Sequence, residues 1–212
     1  MQAVFDFLFA SYATYTWQDI ALEATAVLFG LLSVWYAGRE RILVYPTGLV
    51  STGIYVYICF VAGLYGDMGI NAYYCAMSLY GWYRWTQPAG DAPVLPICWH
   101  RGRERWISLG LLLGFFVLLA WVLDRFTDST VPRIDAFTTA VFFVAMWEMA
   151  RKKVESWIYW IVGDVVSVPL YYYKGLTLTS IQYLVFLWLA VLGLLAWHKK
   201  ATARPVLSTS TS

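Results

Sequence analysis

Seven apolar runs, at roughly 18–37, 43–63, 67–85, 106–123, 135–150, 156–173 and 177–197, each approach the length a tilted helix needs to cross a bilayer. Short breaks carrying charge, Pro or Gly separate them. So much apolar length cannot be hidden from water by one small core, and the pattern predicts an all-α integral membrane protein with seven transmembrane helices. Of 212 residues, 60% are hydrophobic and 13% charged, about half the charged share of a soluble domain. The 12 Trp, 16 Tyr and 12 Phe exceed what interfacial belts use, which leaves aromatics to line a cavity.

The basic residues act as topology markers. Seven spans put Arg39 and Arg41, the four arginines from Arg84 to Arg105, Arg151 to Lys153, and Lys199, Lys200 and Arg204 on one side, leaving Arg125, Arg133 and Lys174 on the other. This split of 12 to 3 predicts an outside amino terminus and a cytoplasmic carboxyl terminus. The first residues, MQAVFDFLFASYATYTW, hold no Lys or Arg and no clear small-x-small site, so no cleaved signal peptide is expected. A net charge of +2 in scattered groups gives no footprint for nucleic acid. Cys59, Cys75 and Cys98 lack disulfide or metal-ligand spacing, and read as small packing residues.

Laying residues 38–85 over 150–197, a constant offset of 112, places Arg39 on Arg151, Gly63-Leu64 on Gly175-Leu176, Gly81 on Gly193 and Trp85 on Trp197. The single membrane domain (1–212) then reads as a three-helix unit at 18–85, a linker helix at 106–123, a second unit at 135–197 and a cytoplasmic tail at 198–212. One span between the units gives both the same orientation, a parallel 3+1+3 repeat of transporter type.

On the sixth span Trp157, Trp160, Asp164, Ser167 and Tyr171 fall within an arc of about 80°. A carboxylate deep in an apolar helix faces a polar cavity or a partner, and two indoles beside it suit an aromatic cation through stacking, cation–π attraction and charge. The competing reading is an interfacial Trp pair with an Asp bonded to a neighbouring helix. On the third span Asn71, Tyr74, Cys75, Ser78 and Trp82 share a face, which could read a carboxamide or sugar, or serve interhelical hydrogen bonds. Ser51, Thr52 and Tyr55 on the second span and Gln182 and Tyr183 on the seventh are weaker candidates. Glu148 stands one turn before Lys152, the spacing of an i, i+4 ion pair. Glu23 reads as a tie between helices, and Pro46 and Pro169 as kinks.

The last span has no lysine for a retinal Schiff base, and the chain has no phosphate-cradling Gly-rich loop. His100 and His198 lie in polar flanks with no nucleophile in view. No catalytic residue, metal site or cofactor is expected.

The run ARKKVESWIYWIVGDVVSVPLYYYKGL, from Ala150 to Leu176, resembles the signature of the PnuC-type nicotinamide riboside transporter family: a basic pair, Glu, W-x-x-W-x-x-x-Asn/Asp and a Gly-Leu turn. Trp17, Glu23-Ala24, Gly30-Leu31-Leu32, Tyr65 and the Tyr80-Gly81-Trp82-Tyr83-x-Trp85 run agree with it. The likeness spans roughly residues 17 to 197 and is weakest between 86 and 135. It implies two three-helix units around a linker helix, similar to a duplicated SWEET unit, in a bacterial inner membrane. It also implies facilitated diffusion of nicotinamide riboside, trapped by cytoplasmic phosphorylation, and a homotrimer in lipid. The implied substrate site takes Trp157, Trp160, Asp164, Asn71 and Gln182. Asp164 stands where many members carry Asn, Ser51 replaces an Asn and Asn71 a Gln. A carboxylate suits the pyridinium of nicotinamide riboside and equally the thiazolium of thiamine, the substrate of a related branch. A non-transporting receptor or intramembrane enzyme using Asp164 or Glu148, and a purely structural subunit, are the readings from other classes.

Overall fold

The computed structural model describes residues 16–88, 95–127 and 129–203; the expectation for the first fifteen residues and that for the tail past Ala203, Arg204 included, lie outside them. Seven helices make up the described chain: α1 (Trp17–Gly38), α2 (Val44–Val61), α3 (Tyr65–Thr86), α4 (Glu104–Phe126), α5 (Pro132–Ala150), α6 (Glu155–Tyr173) and α7 (Thr177–Ala203). Each falls on one expected span. The last continues past residue 197, so His198 to Ala203 are helix where a tail was expected. By length and composition α1, α2, α4 and α7 are apolar enough to cross a membrane. The remaining three are more polar, and α5 and α6 turn Glu148, Ser156, Asp164 and Ser167 inward.

Local chemistry sets the helix ends. Thr16 and Asp19 form a reciprocal capping box at the start of α1, satisfying amides that have no intrahelical partner. Pro132 opens α5, where its missing N–H costs nothing. After α2 and α6 the chain turns through Gly63 (φ 72°) and Gly175 (φ 75°). The amide of Leu64 donates to the Cys59 carbonyl at 2.8 Å and that of Leu176 to Tyr171 at 2.9 Å, a left-handed cap that a Cβ would strain.

The helices close a ring: α1 packs on α2, α2 on α3, α3 on α5, α5 on α6, α6 on α7, and α7 returns to α1. Outside this ring α4 leans on α5 and buries only Ser108. Its apolar surface, including Leu113, Val117 and Trp121, is exposed, as suits a helix solvated by lipid. Flanked on three sides, α5 buries most of its length from Ala140 to Ala150.

One end of the ring is stitched by contacts that recur at the 112-residue spacing. The indole of Trp85 donates to the Met149 carbonyl at 3.2 Å, and that of Trp197 to the Ala37 carbonyl at 3.0 Å. Tyr45 meets Trp85 edge-on at 5.1 Å and Trp157 meets Trp197 edge-on at 5.6 Å. Gly81 admits the Tyr45 ring and Gly193 the Trp157 ring, and a Cβ at either would overlap its guest. Each buried indole hydrogen bond contributes about 1 kcal/mol, and each aromatic pair about 0.5–1.5 kcal/mol beyond its area.

Charges gather at the same end. Glu40 (φ 59°) and Lys152 (φ 52°), 112 residues apart, both hold left-handed turns and pair with each other at 2.7 Å. Glu40 also takes Lys200 at 2.8 Å. Partial burial works to raise the Glu40 pKa, but its hydrogen bonds and attraction to Lys152 and Lys200 outweigh that and hold it below the ordinary carboxylate value. Glu104 accepts from both Arg151 and Lys153, and the amide of Val154 bonds the Cys98 carbonyl. The loops expected to share a side are thus joined to one another.

Candidate functional site

The inward face of α6 carries the candidate chemistry, and packing divides it. Trp157 and Trp160, expected to flank the carboxylate together, have different fates. Trp157 is 1% exposed, held in the notch at Gly193 and against Trp197, so it belongs to the stitched core. Its indole nitrogen is buried without a hydrogen-bond partner among the described residues. Trp160 is only half-buried and stacks on Phe142 of α5 at 5.4 Å.

That contact begins an aromatic column. Phe142 stacks on Tyr183 of α7 at 5.9 Å, and Tyr183 on Tyr171 of α6 at 5.0 Å, with ring planes 14° and 11° apart. Phe142 reaches this position because Gly163 leaves space for it, and a Cβ there would occupy the ring. Asp164, the next residue of α6 and one turn on from Trp160, is 2% exposed. The phenols of Tyr74 and Tyr183 lie within its electrostatic reach. Ser167, on the same face, is fully buried, its hydroxyl without a partner among the described residues. A buried carboxylate and a hydroxyl without a partner among the described residues are costly in an apolar interior, and a cationic ligand bearing hydroxyls would offset both.

The other expected residues are placed as follows. Asn71 donates to the Asp67 carbonyl of its own helix at 2.9 Å, and Ser51 to the Ala26 carbonyl of α1 at 2.8 Å. Both bonds are structural in form. Tyr55 and Gln182 are half-buried, and Ser78 is buried beside Gly48. Tyr74 meets Phe143 of α5 edge-on at 5.9 Å, while Trp82 is exposed, so the expected α3 face is not all inward.

Glu148 stands apart from the column. The i, i+4 pairing with Lys152 does not form, because Lys152 turns to Glu40. Glu148, fully buried, instead accepts a short hydrogen bond from Ser108 and lies 2.9 Å from Nε2 of His100. The His100 amide donates to Glu155 at 2.7 Å. Sequence reasoning named Glu148 among the candidate substrate-binding residues but missed its partners Ser108 and His100, and Phe142, since a histidine in a polar flank and a Phe in an apolar run look ordinary without their contacts.

Residues 20–199 match the profile of the nicotinamide mononucleotide transporter family. The chain is 26% identical over 208 residues to the nicotinamide riboside transporter PnuC of Escherichia coli (strain K12), covering 86% of this chain and 87% of that one. It is 28% identical over 186 residues to the riboflavin/roseoflavin transporter RibM of Streptomyces davaonensis, covering 85% and 86%. A crystal structure of the vitamin B3 transporter PnuC shares the fold, with a TM-score of 0.70 at 24% identity over 92% of this chain and 88% of that one.

Proposed function

The chain belongs to the nicotinamide mononucleotide transporter family, and on that premise we propose that it carries nicotinamide riboside into the cell by facilitated diffusion, with uptake sustained by cytoplasmic phosphorylation of the vitamin. It is a multi-pass membrane transporter, not an enzyme. One observation carries the choice of substrate: a buried carboxylate, Asp164, on the helix face that carries a column of stacked aromatic rings. Trp160 and Phe142 take the pyridinium ring, Asp164 its charge, and Ser167, Tyr74 and Gln182 face the ribose and carboxamide.

In this reading two parallel three-helix units, α1–α3 and α5–α7, are joined by α4 and rock about the stitched end in turn. The recurrence of indole hydrogen bonds, glycine notches and turns at the 112-residue spacing supports it. The amino terminus lies outside and the basic end faces the cytoplasm of a bacterial inner membrane, as the interlocking of the Arg39–Arg41, Arg151–Lys153 and Lys199–Lys200 segments supports. The protein assembles as a homotrimer. Differential affinity between inward and outward states stays modest, since a ligand held tightly in one state is not released.

Thiamine is the second reading, favoured by the same carboxylate, because its thiazolium is also a cation. Reconstituted protein in liposomes tests both. Saturable riboside influx without an ion gradient, lost in Trp160→Ala and reduced in Asp164→Asn, is expected. Faster flux of thiamine moves the protein to the second reading. Flux of neutral riboflavin undiminished by Asp164→Asn removes the charge-based assignment.

A further inference from the structure

A concavity lies outside the helix ring, lined by residues of α4, α5 and α6. It encloses about 520 Å³, with His100, Arg105 and Glu155 at one end and Leu112, Phe137 and Val162 along the rest. This polar end sits beside the ion pairs of Glu104 with Arg151 and Lys153 and next to Trp106, which is 69% exposed, as an interfacial anchor would be. The opposite lip, Leu109 with Ile158, opens on the lipid-facing surface of α4 and α6.

Two features of the polar end call for a ligand. Arg105 is exposed and makes no ion pair with any acid among the described residues, Glu104 being held by Arg151 and Lys153. Oε2 of Glu155 is buried without a donor among the described residues, while Oε1 takes the His100 amide and lies 3.5 Å from Nδ1 of that histidine. A cation facing out and an acceptor facing in, a few residues from an apolar trough, match a headgroup that carries an anionic phosphate and an ammonium with N–H bonds. We infer that this groove is a binding site for a phosphatidylethanolamine-type lipid, its phosphate on Arg105, its ammonium on Glu155 and an acyl chain along Leu112 and Val162.

The chemistry discriminates among membrane lipids. Phosphatidylglycerol has the phosphate but no ammonium for Glu155. Phosphatidylcholine has a quaternary ammonium that donates no N–H bond. The groove lies outside the aromatic column, so the inference stands or falls apart from the identity of the transported vitamin.

Native mass spectrometry of the delipidated full chain, titrated with each of the three lipids, tests it. One phosphatidylethanolamine per chain is expected to bind, ahead of the other two. Arg105→Ala should weaken its binding about fivefold, the usual weight of one basic residue near a headgroup. Glu155→Gln should erase the preference over phosphatidylcholine while leaving phosphatidylglycerol binding unchanged. Ile158→Trp, which fills the trough from its lipid-facing lip, should block acyl-chain entry in a variant that keeps both polar groups. Equal binding of all three lipids, or binding indifferent to Arg105→Ala and Ile158→Trp, would overturn the inference. So would cross-linking that shows a second copy of the chain covering the groove.

Discussion

The two halves of the ring agree at one end and diverge in the middle. At the stitched end Tyr45, Gly81 and Trp85 of α2 and α3 make the same contacts as Trp157, Gly193 and Trp197 of α6 and α7. In the middle, the column Trp160, Phe142, Tyr183 and Tyr171 has Gly48, Gly30, Asn71 and Cys59 at the positions 112 residues earlier. Even the notches are reversed: Gly30 faces Ser51 in the first half, whereas Phe142 fills Gly163 in the second. A shared joint with unlike walls is what a carrier of an asymmetric molecule needs. On the proposed function the stitched end would serve as the joint, with one wall supplying rings and the other room.

The largest expected effect tests the joint. Gly193→Ala and Gly81→Ala each force a Cβ into an aromatic ring and should cost about 1–3 kcal/mol by overpacking, read as lowered melting temperature in detergent. Gly53→Ala, whose Cβ meets open space, should stay within about 0.5 kcal/mol. A cost at Gly193 with none at Gly81 would break the equivalence of the two ends.

The walls come next. Trp160→Ala should reduce riboside affinity about tenfold through lost stacking and cation–π attraction. Asn71→Ala, whose amide is spent on its own helix, should change it less than about threefold. Calorimetry on the purified protein distinguishes the two, and equal losses would mean that both walls read the ligand.

Smaller still, Trp85→Phe and Trp197→Phe each remove one buried indole hydrogen bond and should each cost about 1 kcal/mol. A non-additive double variant would show that the touching rings, 6.0 Å apart, act as one unit.

The smallest effect is electrostatic. Glu40 has a depressed pKa in the folded state, so its pairing stabilises the fold above the ordinary carboxylate value of 4.5 and is lost as pH falls through the lower folded value. Glu40→Gln should flatten the acid side of the stability profile, and an unchanged profile would remove the clamp from the joint.

Much of this comparison was legible in the chain. Arg39 on Arg151, Gly63 on Gly175 and Trp85 on Trp197 align without a gap, and the Gly63 and Gly175 turns proved alike because a left-handed cap is a local, backbone-driven choice. The inward burial of Asp164 and Ser167 followed from helical periodicity. The role of Phe142 did not, because it depends on a missing side chain at Gly163, twenty-one residues away on another helix. Nor did the partner of Lys152, since Glu148 is nearer in sequence but Ser108 and His100 claim it in space.

By itself the sequence determined where the helices run and which loops share an end, because lipid and water sort apolar runs and charges by rules that act on each segment alone. Only the tertiary structure decided which indole of α6 stiffens the joint and which stacks in the aromatic column. Trp157 and Trp160 are one turn apart and chemically identical; what separates them is that one meets a glycine on α7 and the other a phenylalanine on α5.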